Sequence, residues 1–431
     1  MSAVAEPVAD ALAGDRLARR NALVLAIAQA LAGGNNTVLV ATAAIVGTML
    51  APDKGLATLP ISVFVLGMWM GTLPMGVLAR RLGRRSALQI GTVCGVLTGL
   101  ICCVAVLQGS FLLFNVGAVF SGFYASAHQS YRFAAADTAS EGFRPKAISW
   151  VLIGGVFAGV VGAQLVIATQ NSWPPYLFAA TYIGQSALAL IAGGVLMFVN
   201  IPKPPPRSAV GDGRPLSEIA REPRFIVAVA CGVAAYSMMN MVMTSAPLAM
   251  VMCNHSITDA TLGLQWHVLG MYAPSFITGA LITRFGLERI TGLGFALIIV
   301  AAGIGIAGIS LWHFWIGLAL LGVGWNFAFI GATTMVTHCH RPNERNKVQA
   351  FNDFLVFGSM AIGSFSSGQL LASFGWATVN EVVFPVVLAA SALLLWSALR
   401  RRASLCLIRA DQVSGGIIGP MFGVAREWRP V

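Results

Sequence analysis

Charged side chains are scarce in this sequence. Lysine, arginine, aspartate and glutamate together make up only 10% of its 431 residues, whereas soluble domains average about 25%. Apolar residues make up 57%, which is more apolar surface than a soluble fold could bury. The scarcity of charge therefore excludes a soluble enzyme and predicts that the lipid bilayer covers much of the chain. The 47 glycines fit closely packed membrane helices.

Several sequence motifs are missing as well. A P-loop and a nucleophile–base arrangement are absent, which argues against an ATP-driven pump, a membrane-embedded enzyme or a receptor. No cleavable signal peptide is visible, because the first apolar run, residues 21–50, is far too long for one. The seven cysteines follow no spacing that suggests a disulfide framework. These absences leave a transporter as the class to examine.

Apolar runs of membrane-spanning length recur throughout the chain. A spanning helix needs roughly 20 predominantly apolar residues. Twelve runs are predicted to span, at residues 21–49, 57–79, 86–107, 111–133, 146–169, 175–199, 225–251, 260–283, 290–310, 313–337, 348–373 and 379–398. The expected fold class is an all-α membrane protein with about 12 transmembrane helices in two pseudo-symmetric six-helix halves.

Basic residues cluster in alternate breaks between these runs. Four arginines lie between helices 2 and 3, and five basic residues lie between helices 6 and 7, whereas the intervening breaks hold a single one, Lys54. Under the positive-inside rule this asymmetry places both termini and the central linker in the cytoplasm, as expected for a bacterial inner-membrane protein. The net charge of +11 follows from the same pattern, so it does not indicate nucleic-acid binding.

The chain is predicted to divide into five segments around the central linker. They are a cytoplasmic N-terminal segment (1–20), an N-terminal half (21–199), a cytoplasmic linker (200–224), a C-terminal half (225–398) and a cytoplasmic tail (399–431). The two halves repeat one another, because short blocks of helix 2 recur in helix 8 at a constant offset. Parallel repeats of this kind are an architecture of secondary transporters.

The loop after helix 2 carries a distinctive pattern. Residues 76–85 read Gly-Val-Leu-Ala-Arg-Arg-Leu-Gly-Arg-Arg, which resembles the loop motif of the major facilitator superfamily. The matching positions are Gly76, Arg81, Gly83 and Arg84. Arg80 stands where the family usually has an acidic residue, so the charge pairing of this loop must differ. The resemblance covers nearly the whole chain and implies alternating access around a central cavity lined mainly by helices 1, 4, 7 and 10.

Few ionisable residues fall in the middle of the predicted membrane region. Arg132, Asp137 and Asp353 lie near the predicted cytoplasmic helix ends, which argues against a substrate that needs a buried countercharge. Asn36 in helix 1 and Asn240 in helix 7 lie about equally deep in the two halves. Both are candidates for lining the cavity, with hydrogen bonding between helices as the alternative.

Sulfur is concentrated in the second half. Met239 and Met243 are four residues apart on helix 7, and His267 and Met271 are four apart on helix 8, so each pair lies on one face of its helix. Thioether, thiolate and imidazole groups suit Cu(I), so these four residues are predicted to bind a metal ion. Helix 2 has Phe64 at the position equivalent to His267. This contrast favours a function for His267, because a buried histidine is costly without a partner.

The paired Met-x-x-x-Met and His-x-x-x-Met motifs resemble those of the CcoA-type copper importers, which are facilitator-superfamily proteins. The resemblance implies that the four residues bind copper and that Cys231 and Cys253 are auxiliary ligands. It also implies import of copper as the transported substrate, for haem–copper oxidase assembly, with a cytoplasmic copper acceptor as partner. No prosthetic group is expected.

Two functions remain open from the sequence. The leading hypothesis is a Cu(I) importer that works by alternating access. The alternative is a facilitator of a small organic solute or drug, in which the methionines form an adaptable apolar pocket. Loss of sulfur would stop transport only in the first case.

Overall fold

The structure is a computed structural model that describes residues 5–140, 143–201, 213–341 and 344–414, and within those ranges its regular elements are helices. The α-helices are α1 (Ala5–Leu50), α2 (Leu59–Leu82), α3 (Arg84–Gln108), α4 (Phe111–His128), α5 (Tyr131–Asp137), α6 (Arg144–Thr169), α7 (Ala179–Leu196), α8 (Leu216–Ile219), α9 (Pro223–Met252), α10 (Ile257–Tyr272), α11 (Ser275–Phe285), α12 (Leu287–Ala307), α13 (Leu311–Thr337), α14 (Arg345–Glu381) and α15 (Val383–Ser414). The predicted linker stretch 203–207, the end of the tail and the Arg80 side chain lie outside the described residues.

The described helices account for the expected twelve spans. Ten segments are long and apolar enough to cross a membrane. The last of these, Lys347–Arg401, contains two spans, because the chain leaves helical geometry at Gly375 (φ 84°). One further span is formed by α10 and α11 together, each of which is too short alone. The predicted all-α class with about 12 transmembrane helices is confirmed.

Two predicted helices are interrupted within the membrane region. Helix 4, expected as one helix at 111–133, is divided into α4 and α5, and helix 8, expected at 260–283, is divided into α10 and α11. No proline or glycine marks the first break, between His128 and Tyr131. The second coincides with Pro274, which has no backbone N–H and cannot continue the helical hydrogen-bond ladder.

A side chain from another helix satisfies the backbone at the helix 8 break. Asn326 of α13 donates from Nδ2 to the carbonyl oxygen of Met271 at 2.6 Å and to Oγ of Ser275 at 2.7 Å. Its Oδ1 accepts a hydrogen bond from Oγ1 of Thr278 at 2.6 Å. Asn326 therefore joins both sides of the break, as neighbouring helices commonly do for interrupted membrane helices.

The internal repeat is visible in the backbone. Gly83 separates α2 from α3 with φ 91° and ψ 157°, and Gly286 separates α11 from α12 with φ 94° and ψ 150°. Residues with a side chain rarely adopt positive φ values of this size, so both positions favour glycine. The Gly83 position of the loop motif is thus a backbone requirement that recurs in the second half.

The two halves contact each other near the helix ends that the sequence predicts to be periplasmic. Ser62 of α2 donates to Ser364 of α14 at 3.2 Å. Gln170, at the end of α6, donates to Thr258 of α10 at 3.0 Å. A cavity between the halves reaches the loop between α2 and α3, where Gly76 and Arg84 line it.

Candidate functional site

The space between the halves consists of two adjoining cavities. The larger has a volume of about 370 Å³ and reaches the mouth near Gly76 and Arg84. The smaller has a volume of about 120 Å³ and lies deeper between the halves. Both are lined by Met68, His128 and Tyr236, so they form one continuous path. The larger volume falls within the roughly 300–1,000 Å³ typical of small-molecule sites.

The C-terminal half contributes an aromatic cluster to the larger cavity, formed by Tyr236, Trp325, Phe329 and Phe357. The Tyr236 ring is 5.1 Å from Trp325, 4.8 Å from Phe329 and 5.9 Å from Phe357, with edge contacts throughout. Trp325 and Phe329 are stacked at 5.1 Å and 13°. Trp325 Nε1 is buried and makes no hydrogen bond. This cluster gives the larger cavity an aromatic wall.

The N-terminal half contributes a polar face opposite this cluster. His128 of α4 is buried between two side chains of α1. Its Nε2 lies 2.6 Å from Nδ2 of Asn36, and its Nδ1 lies 3.4 Å from Oε1 of Gln29. An amide –NH₂ can only donate, so Nε2 is the acceptor and the proton of a neutral ring is on Nδ1. The polar face is therefore a neutral network with no countercharge.

Charged groups lie at the mouth of the larger cavity. Arg84 forms an ion pair with Asp137, the residue that ends α5. This contact links the loop motif to helix 4. Arg132 and Asp353, from opposite halves, also line the cavity. The guanidinium of Arg132 lies over the ring of Phe133 at 4.9 Å. These groups are at the predicted cytoplasmic ends, as the sequence indicated.

The residues proposed as metal ligands are not all in one place. Met239, Met243 and Met271 line the smaller cavity. His267 is fully buried elsewhere, between α10 and α13, where its Nδ1 lies 2.8 Å from the carbonyl oxygen of Leu318 and its Nε2 makes no hydrogen bond. The structure therefore brings the three thioethers together and points the imidazole toward a neighbouring helix.

The remaining predicted residues are also separated. Cys231 is buried with its Sγ 4.0 Å from the carbonyl oxygen of Ala390 of α15. Cys253 follows the last residue of α9 and is partly exposed. Among the described residues, no group of three or more His, Cys, Asp or Glu side chains could hold a metal ion. Asn36 and Asn240 both line the smaller cavity.

Sequence reasoning missed the aromatic cluster. The signal was available, because Trp325 and Phe329 are four apart on helix 10 and Tyr236 lies on helix 7. Both helices were already expected to line the cavity. The prediction instead interpreted the many methionines in the same region as metal ligands.

Comparison with known proteins identifies relatives of the chain. The family model described as Major Facilitator Superfamily matches residues 25–266 and 231–405. The chain is 50% identical over 372 residues to the riboflavin transporter RfnT of Brucella anthropi, covering 86% of this chain and 94% of that protein. It is 28% identical over 375 residues to the uncharacterised MFS-type transporter YddS of Bacillus subtilis, covering 80% and 85%.

Solved structures show the same fold. A crystal structure of a D-xylose–proton symporter matches with a TM-score of 0.68 and 14% identity, covering 86% of this chain and 96% of that chain. The xylose transporter XylE from E. coli, in a partially occluded inward-open conformation, matches with a TM-score of 0.67 and 13% identity, covering 89% and 98%. Identities this low extend the likeness to the fold alone.

The copper-importer hypothesis is wrong. A relative that is 50% identical over most of both chains is named as a transporter of riboflavin, which is an organic solute. Organic solutes are the class of substrate in the alternative hypothesis. Copper transport and a link to cytochrome oxidase assembly are therefore unsupported. The physical reason for the error is that methionine both binds Cu(I) and fills adaptable apolar pockets, so its local density does not separate the two functions.

Proposed function

Because the chain belongs to the major facilitator superfamily, we propose that it transports riboflavin, or a closely related flavin, across a bacterial inner membrane by alternating access of its two halves. The observation that carries the proposal is the 50% identity to a riboflavin transporter over 86% of the chain. Sequence identity at this level, sustained along both halves, commonly accompanies a shared substrate class.

The chemistry of the cavity supports this substrate class. Riboflavin is a flat three-ring system with a polar edge and a hydroxylated side chain, and it is uncharged at neutral pH. The stacked pair Trp325 and Phe329 presents aromatic surface to such a ring. Gln29 and His128, from the neutral network of the other half, line the same cavity. An uncharged ligand needs no countercharge, which agrees with a neutral polar face.

The arrangement of the halves supports alternating access with the present cavity opening to the cytoplasm. The halves contact each other through Ser62 and Ser364 on one side, and the cavity opens on the other, beside Arg84. The basic loops lie on the open side, which the positive-inside rule makes cytoplasmic. Both termini then also face the cytoplasm.

Counterflow in proteoliposomes tests the proposal. Vesicles containing the purified protein and loaded with unlabelled riboflavin should accumulate radiolabelled riboflavin, and vesicles without protein should not. Met243→Leu keeps side-chain volume and apolarity, which usually costs under about 1.5 kcal/mol, so this variant should retain counterflow. If the protein gives no saturable riboflavin exchange, the proposed function is wrong.

A further inference from the structure

Asn240 lines the smaller cavity and has a buried hydrogen-bond acceptor without a partner. Its side chain is fully buried in α9 and lines that cavity. Its Nδ2 donates to the carbonyl oxygen of Met360 at 3.3 Å. Only the –NH₂ group of an amide can bond to a carbonyl, which fixes the orientation of this side chain. The Oδ1 atom therefore points away from Met360, and it is buried without a partner.

Asn36 presents a second unpaired acceptor from the opposite half. Its Nδ2 is 2.6 Å from Nε2 of His128, and its Oδ1 is buried without a partner. Asn36 also lines the smaller cavity. His128, held from its other side by Gln29, keeps this amide in place and leaves its oxygen free.

The two acceptors belong to residues at about equal depth in the two halves, and apolar side chains line much of the smaller cavity. Asn36 lies on the first helix of the N-terminal half and Asn240 on the first of the C-terminal half. Between them the cavity is lined by side chains such as Met239, Met243 and Val268. Buried acceptors without partners cost free energy, and native structures pair most of them. A pair of them across one cavity points to a ligand that brings hydrogen-bond donors.

We propose that the smaller cavity is the subsite for the hydroxylated side chain of the flavin, with Asn36 and Asn240 each accepting a hydrogen bond from one of its hydroxyl groups. This inference rests on the proposed function. The ring system then lies in the larger cavity against the aromatic cluster, and the methionines contact the carbon chain. The two asparagines would select for a flavin that carries a polyol over one that does not.

Binding of two flavins to the purified protein tests the inference. Riboflavin carries the polyol, and lumiflavin has the same ring system with a methyl group in its place. The variants are Asn36→Leu and Asn240→Leu, which remove the acceptor at similar volume. The control is Asn115→Leu, because Asn115 on α4 also has a buried unpaired Oδ1 but lines neither cavity. The ratio of the two dissociation constants in one preparation does not depend on the folded fraction.

The unaltered protein and Asn115→Leu should prefer riboflavin over lumiflavin to the same extent. Each cavity variant should lose about fivefold to tenfold of that preference, because one hydrogen bond is worth about this factor, while binding lumiflavin as before. If the folded variants keep the preference, the inference is overturned and the proposed function stands. If the unaltered protein does not bind riboflavin, both are overturned.

Discussion

The two halves of the transporter share a backbone and differ in the side chains that they present. In the N-terminal half, Gly122 of α4 lies against the backbone of Phe64 and Met68 of α2. In the C-terminal half, Gly322 of α13 lies against the backbone of the matching residues of α10, His267 and Met271. The close helix contact is thus kept in both halves. The halves therefore share the contact between these helices and differ in the side chains around it.

The difference appears most clearly where helices 4 and 10 reach the cavity. The N-terminal half supplies hydrogen-bonding side chains around His128, whereas the C-terminal half supplies the aromatic cluster around Tyr236. Ala125 stands in α4 at the position matching Trp325 in α13. A cavity built this way has one face for a ring and one for polar groups, which a symmetric pair of halves could not provide.

The largest effect is expected from disturbing what the halves share. Replacing Gly122 or Gly322 by Ala places a Cβ under 3.0 Å from backbone atoms of the neighbouring helix. Backbone atoms cannot move aside as flexible side chains do, so each variant should lose about 2–3 kcal/mol of stability. Denaturant unfolding in mixed micelles measures this loss.

Two glycines in open surroundings provide the matched controls. Gly194 in α7 and Gly303 in α12 have nothing within 4 Å of an added Cβ. Alanine there should change stability by about 1 kcal/mol or less, and in the favourable direction. Similar losses at all four positions would show that close contact at Gly122 and Gly322 is not the cause of the loss.

The next effect concerns the aromatic face. Trp325→Ala gives the C-terminal half the residue of its N-terminal counterpart, and it should weaken riboflavin binding by about tenfold because ring stacking is worth about 1–3 kcal/mol. Binding is measured by quenching of flavin fluorescence. Trp312→Ala is the control, since Trp312 lies on the same helix and is 66% exposed. Equal binding by both variants would remove the aromatic cluster from the site.

A smaller effect is expected from His267→Phe, which gives helix 8 the residue that helix 2 has as Phe64. The substitution removes the hydrogen bond to the Leu318 carbonyl, so stability should fall by about 1 kcal/mol. Riboflavin binding should stay within about twofold, because the His267 ring does not line the cavities. A selective loss of binding in a stable variant would return His267 to the site.

The smallest effect concerns a contact that ties the linker to the C-terminal half. The side chain of Glu344 is buried and accepts hydrogen bonds from Arg214 at 2.8–3.1 Å and from the backbone N–H of Arg341 at 2.9 Å. The pKa of Glu344 is lowered from 4.5 to about 2, mainly because the Arg214 side chain donates hydrogen bonds to its carboxylate.

The sign of the resulting pH dependence follows from that shift. A lowered pKa stabilises the folded state above pH 4.5, and this stabilisation is lost as the pH falls toward 2. Glu344→Gln should therefore lower the thermal midpoint slightly at pH 7 and flatten its decline between pH 4.5 and 3. The same decline in variant and unaltered protein would mean that Glu344 does not contribute.

The helices could be predicted because hydrophobicity and length determine them directly. The twelve predicted apolar runs correspond to the spans of the structure. The loop after helix 2 recurs after helix 8, and Gly83 and Gly286 have the same backbone geometry. The break in helix 8 is harder to predict, because its hydrogen-bond partner is supplied by another helix. Pro274 was a visible cause, whereas its partner Asn326 lies on helix 10.

The site could be predicted only in part. The spacing predicted that His267 and Met271 lie on one face of helix 8, but part of that face borders the cavity and part packs against α13. Met271 reaches the cavity, whereas His267 packs against α13. Asn36 and Asn240, predicted as candidates for lining the cavity, line the smaller cavity, and both also make the hydrogen bonds between helices that were the alternative. Which side chains assemble around a ligand depends on the rotation of helices about their axes, which periodicity alone leaves undetermined.

The break in helix 8 has a consequence for how the protein is made. Neither α10, with 16 residues, nor α11, with 11, is long enough to span a bilayer alone. The carbonyl of Met271 receives its hydrogen bond from Asn326, a residue 55 positions later in the chain. When helix 8 leaves the ribosome, this partner has not yet been synthesised. We therefore expect the backbone at this break to gain its hydrogen-bond partner only after helix 10 has packed against helix 8.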